Sequence, residues 1–131
     1  MKVTADTNVL VRAVVNDDPE QGAKAAQLLS EAEVVAVTLP SLCEFVWVLQ
    51  RVYGLSRPDI ISAIRVLVAA ENVRVNQQAV EQGLKVYEAG GDFADGVIAY
   101  EGQWLGGKTF ASFDKRAVRL LEKQGVSVLV L

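Results

Sequence analysis

Apolar positions along the chain follow two alternating patterns. Short runs rich in β-branched residues, KVTAD (2–6), VVAV (34–37), VRV (73–75), TFAS (109–112) and VSVLVL (126–131), predict five strands. Between them apolar residues recur every three to four positions, the spacing of a helix with one buried face. TNVLVRAVV (7–15) predicts a helix directly after the first strand. The next opens at Asp17-Asp18-Pro19, where acids and a proline suit a first turn, and carries Ala23, Ala26, Leu28 and Leu29 as its apolar face. LPSLCEFVWVLQRVYG (39–54) stops at Gly54, SRPDIISAIRVLVAAE (56–71) is capped by Ser56, and Asn76 is placed to cap QQAVEQGLKVYEAG (77–90). A helix from Asp92 to about Leu105 turns Ala94, Val97, Ile98 and Leu105 inward, and DKRAVRLLEKQG (114–125) forms the last helix.

Strands this short, each separated from the next by helix, predict one α/β domain over residues 1–131 with a mainly parallel five-stranded sheet, because helical crossovers cover both faces of such a sheet. Sites in such folds gather beyond the carboxyl ends of the strands.

Composition narrows the chemistry. The chain has 131 residues, 51% of them hydrophobic and 22% charged, enough to bury a core without disulfides. No apolar run is long enough for a membrane span, and Met1-Lys2-Val3 leads into a strand rather than a signal peptide, which predicts a cytoplasmic protein. The single cysteine, Cys43, reads as a small core residue. Histidine is absent. That removes Ser/His/Asp and Cys/His nucleophile systems, histidine-ligated zinc and histidine-dependent RNA cleavage, which leaves carboxylates as the first candidates for catalysis. A net charge of −3 argues against nucleic-acid binding through a bulk positive field and leaves room for a local basic rim.

Four acids stand where a site belongs. Asp6 closes the first strand and Asp114 follows the fourth. Glu44 is the one charge in LPSLCEFVWVLQ, and burying it beside Leu42, Phe45 and Val48 would cost several kcal/mol unless it were paired or bound to a cation; the competing reading is an exposed glutamate on the helix edge. Asp95 falls beside the apolar face of its helix, near the start, and Asp92 one turn earlier is the better N-cap. Two carboxylates about 4 Å apart repel by roughly 4 kcal/mol at an effective dielectric near 20. Convergence of Asp6, Glu44, Asp95 and Asp114 would therefore demand protons or a divalent cation, and all-oxygen donors favour Mg²⁺ or Mn²⁺ and metal-assisted phosphodiester hydrolysis.

ADTNVLVR with Asp6, PSLCEFVWVL with Glu44, DFADGVIA with Asp95 and FASFDKRA with Asp114, in this order and spacing, resemble a PIN-domain ribonuclease, and more narrowly the VapC-type toxins of bacterial and archaeal toxin-antitoxin pairs. The resemblance covers nearly the whole chain. It implies a three-layer α/β/α fold, an acidic pocket for Mg²⁺ or Mn²⁺, and endoribonuclease activity on single-stranded RNA. Asp6 and Asp95 are then the direct metal ligands, with Glu44 and Asp114 completing the pocket directly or through water. Thr7 and Asn8 match small polar positions beside the first acid, where Thr7 has helix capping as its other reading, and Ser112 matches a hydroxyl position before the last acid. Arg12, Lys115 and Arg116 are the candidates for RNA phosphates, against a reading as solvated helix faces. The family also implies a cognate antitoxin protein lying across the domain, and a homodimer. Trp47, Tyr53, Leu55 and Ile60 are candidates for an exposed groove, although residues at such spacing are more often plain core.

Three rivals remain in view. Asp6-Thr7-Asn8-Val9 resembles the nucleophile loop of haloacid dehalogenase-like phosphatases, yet Asn8 stands where their general acid belongs. A signalling receiver domain needs an aspartate after the third strand, where this chain has Asn76. A catalytically silent PIN-fold module binding RNA or protein would share the fold without the chemistry.

Overall fold

Val3, Val35 and Val73 stand in register across three parallel strands, β1 (Lys2–Thr4), β2 (Val34–Ala36) and β3 (Val73–Arg74), in the order β1-β2-β3. The computed structural model describes residues 1–131, which divide into two compact units, Met1–Asn76 and Gln77–Leu131.

The first unit adds α1 (Thr7–Val14), α2 (Pro19–Glu31), α3 (Leu39–Arg51) and α4 (Arg57–Ala69). Each helix starts at a residue whose side-chain oxygen accepts from a backbone N–H of the first turn: Asp6 from Val9, Asp18 from Gln21, Thr38 from Ser41 and Ser56 from Asp59. Pro19, Pro40 and Pro58 occupy first-turn positions, where a missing N–H goes unnoticed. The core is Leu10, Val35, Leu42, Phe45, Leu49, Ile60 and Ile64, all essentially removed from solvent. Each contributes roughly 1.5–3 kcal/mol of apolar burial before ordering entropy is counted.

The second unit holds α5 (Gln77–Glu88), α6 (Phe93–Trp104), α7 (Lys115–Lys123) and two parallel strands, β4 (Thr109–Ser112) and β5 (Ser127–Val130), paired from Thr109 opposite Ser127 to Ser112 opposite Val130. Gly83 of α5 and Gly96 of α6 let these two helices approach closely. A Cβ at Gly96 would stand 2.5 Å from the Gln82 carbonyl oxygen and 2.8 Å from the Gly83 Cα, and one at Gly83 would stand 2.7 Å from the Phe93 ring. Val86, Ala99 and Leu121 form a further core with Phe110, Val126 and Val128 packed against it.

All five strands and seven helices fall where the pattern predicts them, and all strand pairs are parallel. The expected five-stranded sheet is corrected: the strands form a three-stranded and a two-stranded ladder. Runs of two to four residues announce an extended segment without encoding which neighbour takes their N–H and C=O groups. Two helix faces are corrected as well. In α2 the inward line is Ala25, Leu28 and Leu29, continued by Ala32, while Ala23 and Ala26 are exposed. In α6 the buried set is Phe93, Gly96, Val97 and Ala99, with Ile98 and the following Leu105 in solvent, 56% and 83% exposed. Ile60 belongs to the core and Trp47 is exposed, so these two do not share a groove. No helix is long and apolar enough to cross a membrane.

Candidate active site

One local design positions the aspartates. Two residues past β1, β2 and β4 the chain reaches a residue that caps the following helix: Asp6, Thr38 and Asp114. Thr38 shows that a hydroxyl suffices for that duty. Aspartate at the other two places therefore brings charge that capping does not require.

In the second unit the Asp114 carboxylate accepts from the amides of Arg116 (3.0 Å) and Ala117 (3.1 Å) through one oxygen, Oδ1. The amide of Asp114 itself donates to the Ser112 hydroxyl at 2.9 Å, so Ser112 shapes the turn that presents the acid. Asp92 caps α6, accepting from the Ala94 amide at 3.0 Å. Asp95 lies in the first turn of α6, half-buried, and its carboxylate has neither a hydrogen-bond donor nor a cation beside it. Burial, then the charges of Asp92 and Asp114, push it up to about 6. Asp92 and Asp114 are thus each within electrostatic reach of Asp95.

Because the Asp114 cap can be met by an amide oxygen, Asp114→Asn is expected to keep the urea midpoint of the wild type, whereas Asp114→Ala, which frees two amides of α7, should lower stability by about 1 kcal/mol.

In the first unit Asp6 caps α1 through Oδ1, bonded to the Val9 amide at 3.0 Å, which leaves its second oxygen without a protein donor. Thr7 begins the helix and leaves the capping to Asp6. Asn8 is exposed beside it. Glu44 is corrected: it stands on the exposed side of α3, opposite Leu42, Phe45, Val46 and Leu49, and the cost of burying a lone carboxylate does not arise. Its isolation among apolar neighbours reflects a helix with a broad buried face.

The candidate phosphate contacts separate. Arg12 is committed within the fold, donating from its guanidinium to Asp17 at 2.8 Å, Gln21 at 2.9 Å and Tyr53 at 3.2 Å. The bonds to Asp17 and Tyr53 raise its pKa, while the Tyr53 hydroxyl, ahead of Arg12, lowers that of Asp17. Arg116 donates to the Gly90 carbonyl at 2.7 Å, clamping the start of α7 to the end of α5, where Gly90 adopts a positive φ of 93°. Lys115 is exposed and its ammonium carries no ion pair.

Sequence reasoning missed Gly96, which seats α6 on α5 immediately after Asp95, and the Tyr53–Asp17–Arg12–Gln21 network. A glycine inside a helix is itself a signal, since it costs about 1 kcal/mol against alanine and so calls for a packing reason. The network carried no signal, because Arg12, Asp17 and Gln21 lie in two different helices and the turn between them, and Tyr53, which closes it, is 36 residues beyond Asp17.

Within neither unit do three or more acidic side chains gather into a ready-made metal-holding group. The donor chemistry nonetheless suits a hard divalent cation: the second unit offers the carboxylate oxygens of Asp92, Asp95 and Asp114, and burial and the two neighbouring acids push Asp95 up to about 6, against a charge that a cation would favour.

A family model for the PIN domain matches residues 3–123. Among solved structures the chain is similar to the crystal structure of VapC20 from Mycobacterium tuberculosis, a sarcin-ricin loop cleaving toxin, with 19% identity, 98% of each chain covered and a TM-score of 0.44. No curated protein sequence matches it.

Proposed function

The chain belongs to the PIN-domain family, and from that premise we propose that it is an endoribonuclease dependent on Mg²⁺ or Mn²⁺, the toxin of a toxin-antitoxin pair. The observation that carries the reading is Asp95, a half-buried carboxylate with no partner, pushed up to about 6 beside two further acids. A fold bears such a group where it gains something from it, and the gain here is affinity for a divalent cation.

In this reading Asp95 and Asp114 are metal ligands of the second unit, and Asp92 caps α6 so that Asp95 is presented in its first turn. Asp6 and Glu44 are the family's remaining acids, proposed as catalytic residues of the first unit, with Thr7 and Asn8 beside Asp6. The N-cap bonds hold one oxygen of Asp6 and one of Asp114 fixed and leave the other outward, which orients each acid without mobile side-chain hydrogen bonds. Ser112 steadies Asp114 from behind. A divalent cation held by these acids would supply an activated water and charge stabilisation at the scissile phosphate. Lys115 is the proposed phosphate contact; Arg12 and Arg116 act through the fold.

The partners follow from the same reading: an RNA substrate, a cognate antitoxin that keeps the free nuclease silent, and a second copy in a homodimer. A silent PIN-fold binding module is the competing function, and a haloacid dehalogenase-like phosphatase is disfavoured by Asn8. Incubation of the partner-free protein with structured RNAs should give discrete cuts with Mg²⁺ or Mn²⁺, none with chelator, and none for Asp6→Asn. Cutting that persists in chelator would falsify the metal-carboxylate mechanism, and binding without any cutting would favour the silent module.

A further inference from the structure

Asp6 does not face open surface alone. It lines a cavity of about 390 Å³ between α1 and α2, together with the half-buried Val9 and Leu28 and the exposed Asn8, Gln21 and Lys24, the last in a surface ion pair with Glu20 at 3.5 Å. The cavity lies wholly within the first unit.

The orientation of Gln21 at this cavity is determined. Its side-chain oxygen accepts from the Arg12 Nε at 2.9 Å. A guanidinium nitrogen only donates, so the amide cannot flip: the oxygen must face Arg12, and the NH₂ group is left as the outward donor. Arg12 is in turn immobilised by Asp17 and Tyr53, and the Tyr53 hydroxyl donates to the second Asp17 oxygen at 2.9 Å. A four-residue network joining α1, the α1–α2 turn, α2 and the end of α3 thus holds one exposed amide donor in a single orientation. Gln21 is exposed, so the donor is open to a ligand. The Asn8 side chain has no protein partner and adds an amide that can both donate and accept.

Two apolar side chains, a pre-aimed donor, a second adaptable amide and an exposed cation are complementary to a nucleotide: a flat base over Val9 and Leu28, a base acceptor on Gln21, and a backbone phosphate on Lys24. We propose that this cavity is the subsite for the base flanking the scissile phosphate of a single-stranded RNA, with Gln21 as its specificity-determining donor and Arg12 as the positioning residue that aims it. The inference rests on the nuclease reading, since Asp6 places the cavity beside the chemistry. A base presenting a carbonyl oxygen at the contacted edge is the preferred occupant.

The test compares wild type with Gln21→Glu, which keeps the acceptor toward Arg12 and removes the donor, and with Gln21→Met, which removes both. A panel of single-stranded RNA oligonucleotides varied at the nucleotides flanking the cut is assayed for cleavage in Mg²⁺ or Mn²⁺, and binding of the same panel is measured by fluorescence anisotropy in chelator. Wild type should prefer one base class at a flanking position. Both variants should lose that preference, through a rise in KM of roughly five- to tenfold on the preferred oligonucleotide with kcat little changed, the worth of one hydrogen bond. Arg12→Lys, which retains the charge but not the fixed fork, should weaken the preference while leaving Gln21 in place. An unchanged thermal midpoint for Gln21→Glu separates recognition from mere stability. If wild type cuts and the Gln21 variants keep its base preference, the subsite is wrong and the nuclease reading survives. If wild type neither cuts nor binds any RNA, both fall.

Discussion

Asp95→Asn should abolish RNA cleavage and at the same time make the metal-free protein more stable. The loss follows from removing the proposed metal ligand: several kcal/mol of the charge stabilisation that a cation would supply corresponds to roughly a hundred- to ten-thousand-fold in rate. The gain follows from the raised pKa. In the unfolded chain this aspartate titrates near its ordinary value of 3.8, and in the fold it is pushed up to about 6. Between those two values the folded state binds more protons, so stability contributed by this group falls as pH rises through that window. Below it both states are protonated and the penalty is absent; above it the penalty is complete.

Partial solvent screening reduces the effect to about 1 kcal/mol near pH 7.5, or about 4 °C in Tm for a domain of this size. Wild type and Asp95→Asn should therefore melt together near pH 3.5 and diverge by pH 7.5, with the variant higher. Added Mg²⁺ or Mn²⁺ should raise the wild-type midpoint and leave the variant unmoved. Coincident melting curves at both pH values would mean that Asp95 is not strained, and the chief support for a cation site in the second unit would go.

The second large effect is expected at Gly96. Alanine usually stabilises a helix over glycine by about 1 kcal/mol. Here its Cβ would meet the backbone of α5, with the Gln82 oxygen at 2.5 Å and the Gly83 Cα at 2.8 Å, and backbone atoms cannot swing aside. Relief requires the two helices to separate, which exposes part of the packing around Phe93, Leu84 and Val97, so Gly96→Ala should destabilise by a net 2–3 kcal/mol or about that. Gly102, in the same helix with open space around its Cα, is the internal control. Gly102→Ala should be neutral or stabilising by up to about 1 kcal/mol. A wild-type urea midpoint for Gly96→Ala would show that α5 and α6 are farther apart than the structure has them. Because Gly96 follows Asp95 directly, the same variant should also lose activity through displacement of that carboxylate.

These two neighbours show how unevenly the sequence speaks. Asp92 was legible as a cap because capping is local: a side-chain oxygen, a few free amides, and a helix beginning within three residues. The same holds for Ser56 and for the proline-marked starts of α2, α3 and α4. Asp95 was legible as a candidate by its position and its motif, but its environment was not. The apolar residues around it, Ile98 and Leu105, point to solvent, while a glycine forms part of the buried face. Hydrophobicity ranks a side chain by its own transfer energy, and a helix–helix contact is chosen by shape, so a glycine that admits a neighbouring backbone can outrank an isoleucine.

The burial expected for Glu44 failed for a related reason. Its lack of local charge suggested burial, yet α3 turns its buried residues to one side and leaves Glu44 and Trp47 on the other. Arg12 illustrates the opposite limit. It was a sound candidate for phosphate by its place after Asp6, and the fold assigns it to Asp17, Gln21 and Tyr53.

The amino-acid sequence by itself determined what is local in its physics: the five strands and seven helices, the caps at Ser56 and Asp92, the loss of imidazole chemistry in a chain without histidine, and the family to which the motifs belong. Tertiary structure alone decided which strands share a ladder, which helix faces are buried, which cations are already engaged, and that burial and two neighbouring acids push Asp95 up. The division has one cause. Capping and periodicity act over a few residues of chain, whereas desolvation, close packing and charge repulsion depend on distances through space that connectivity does not specify.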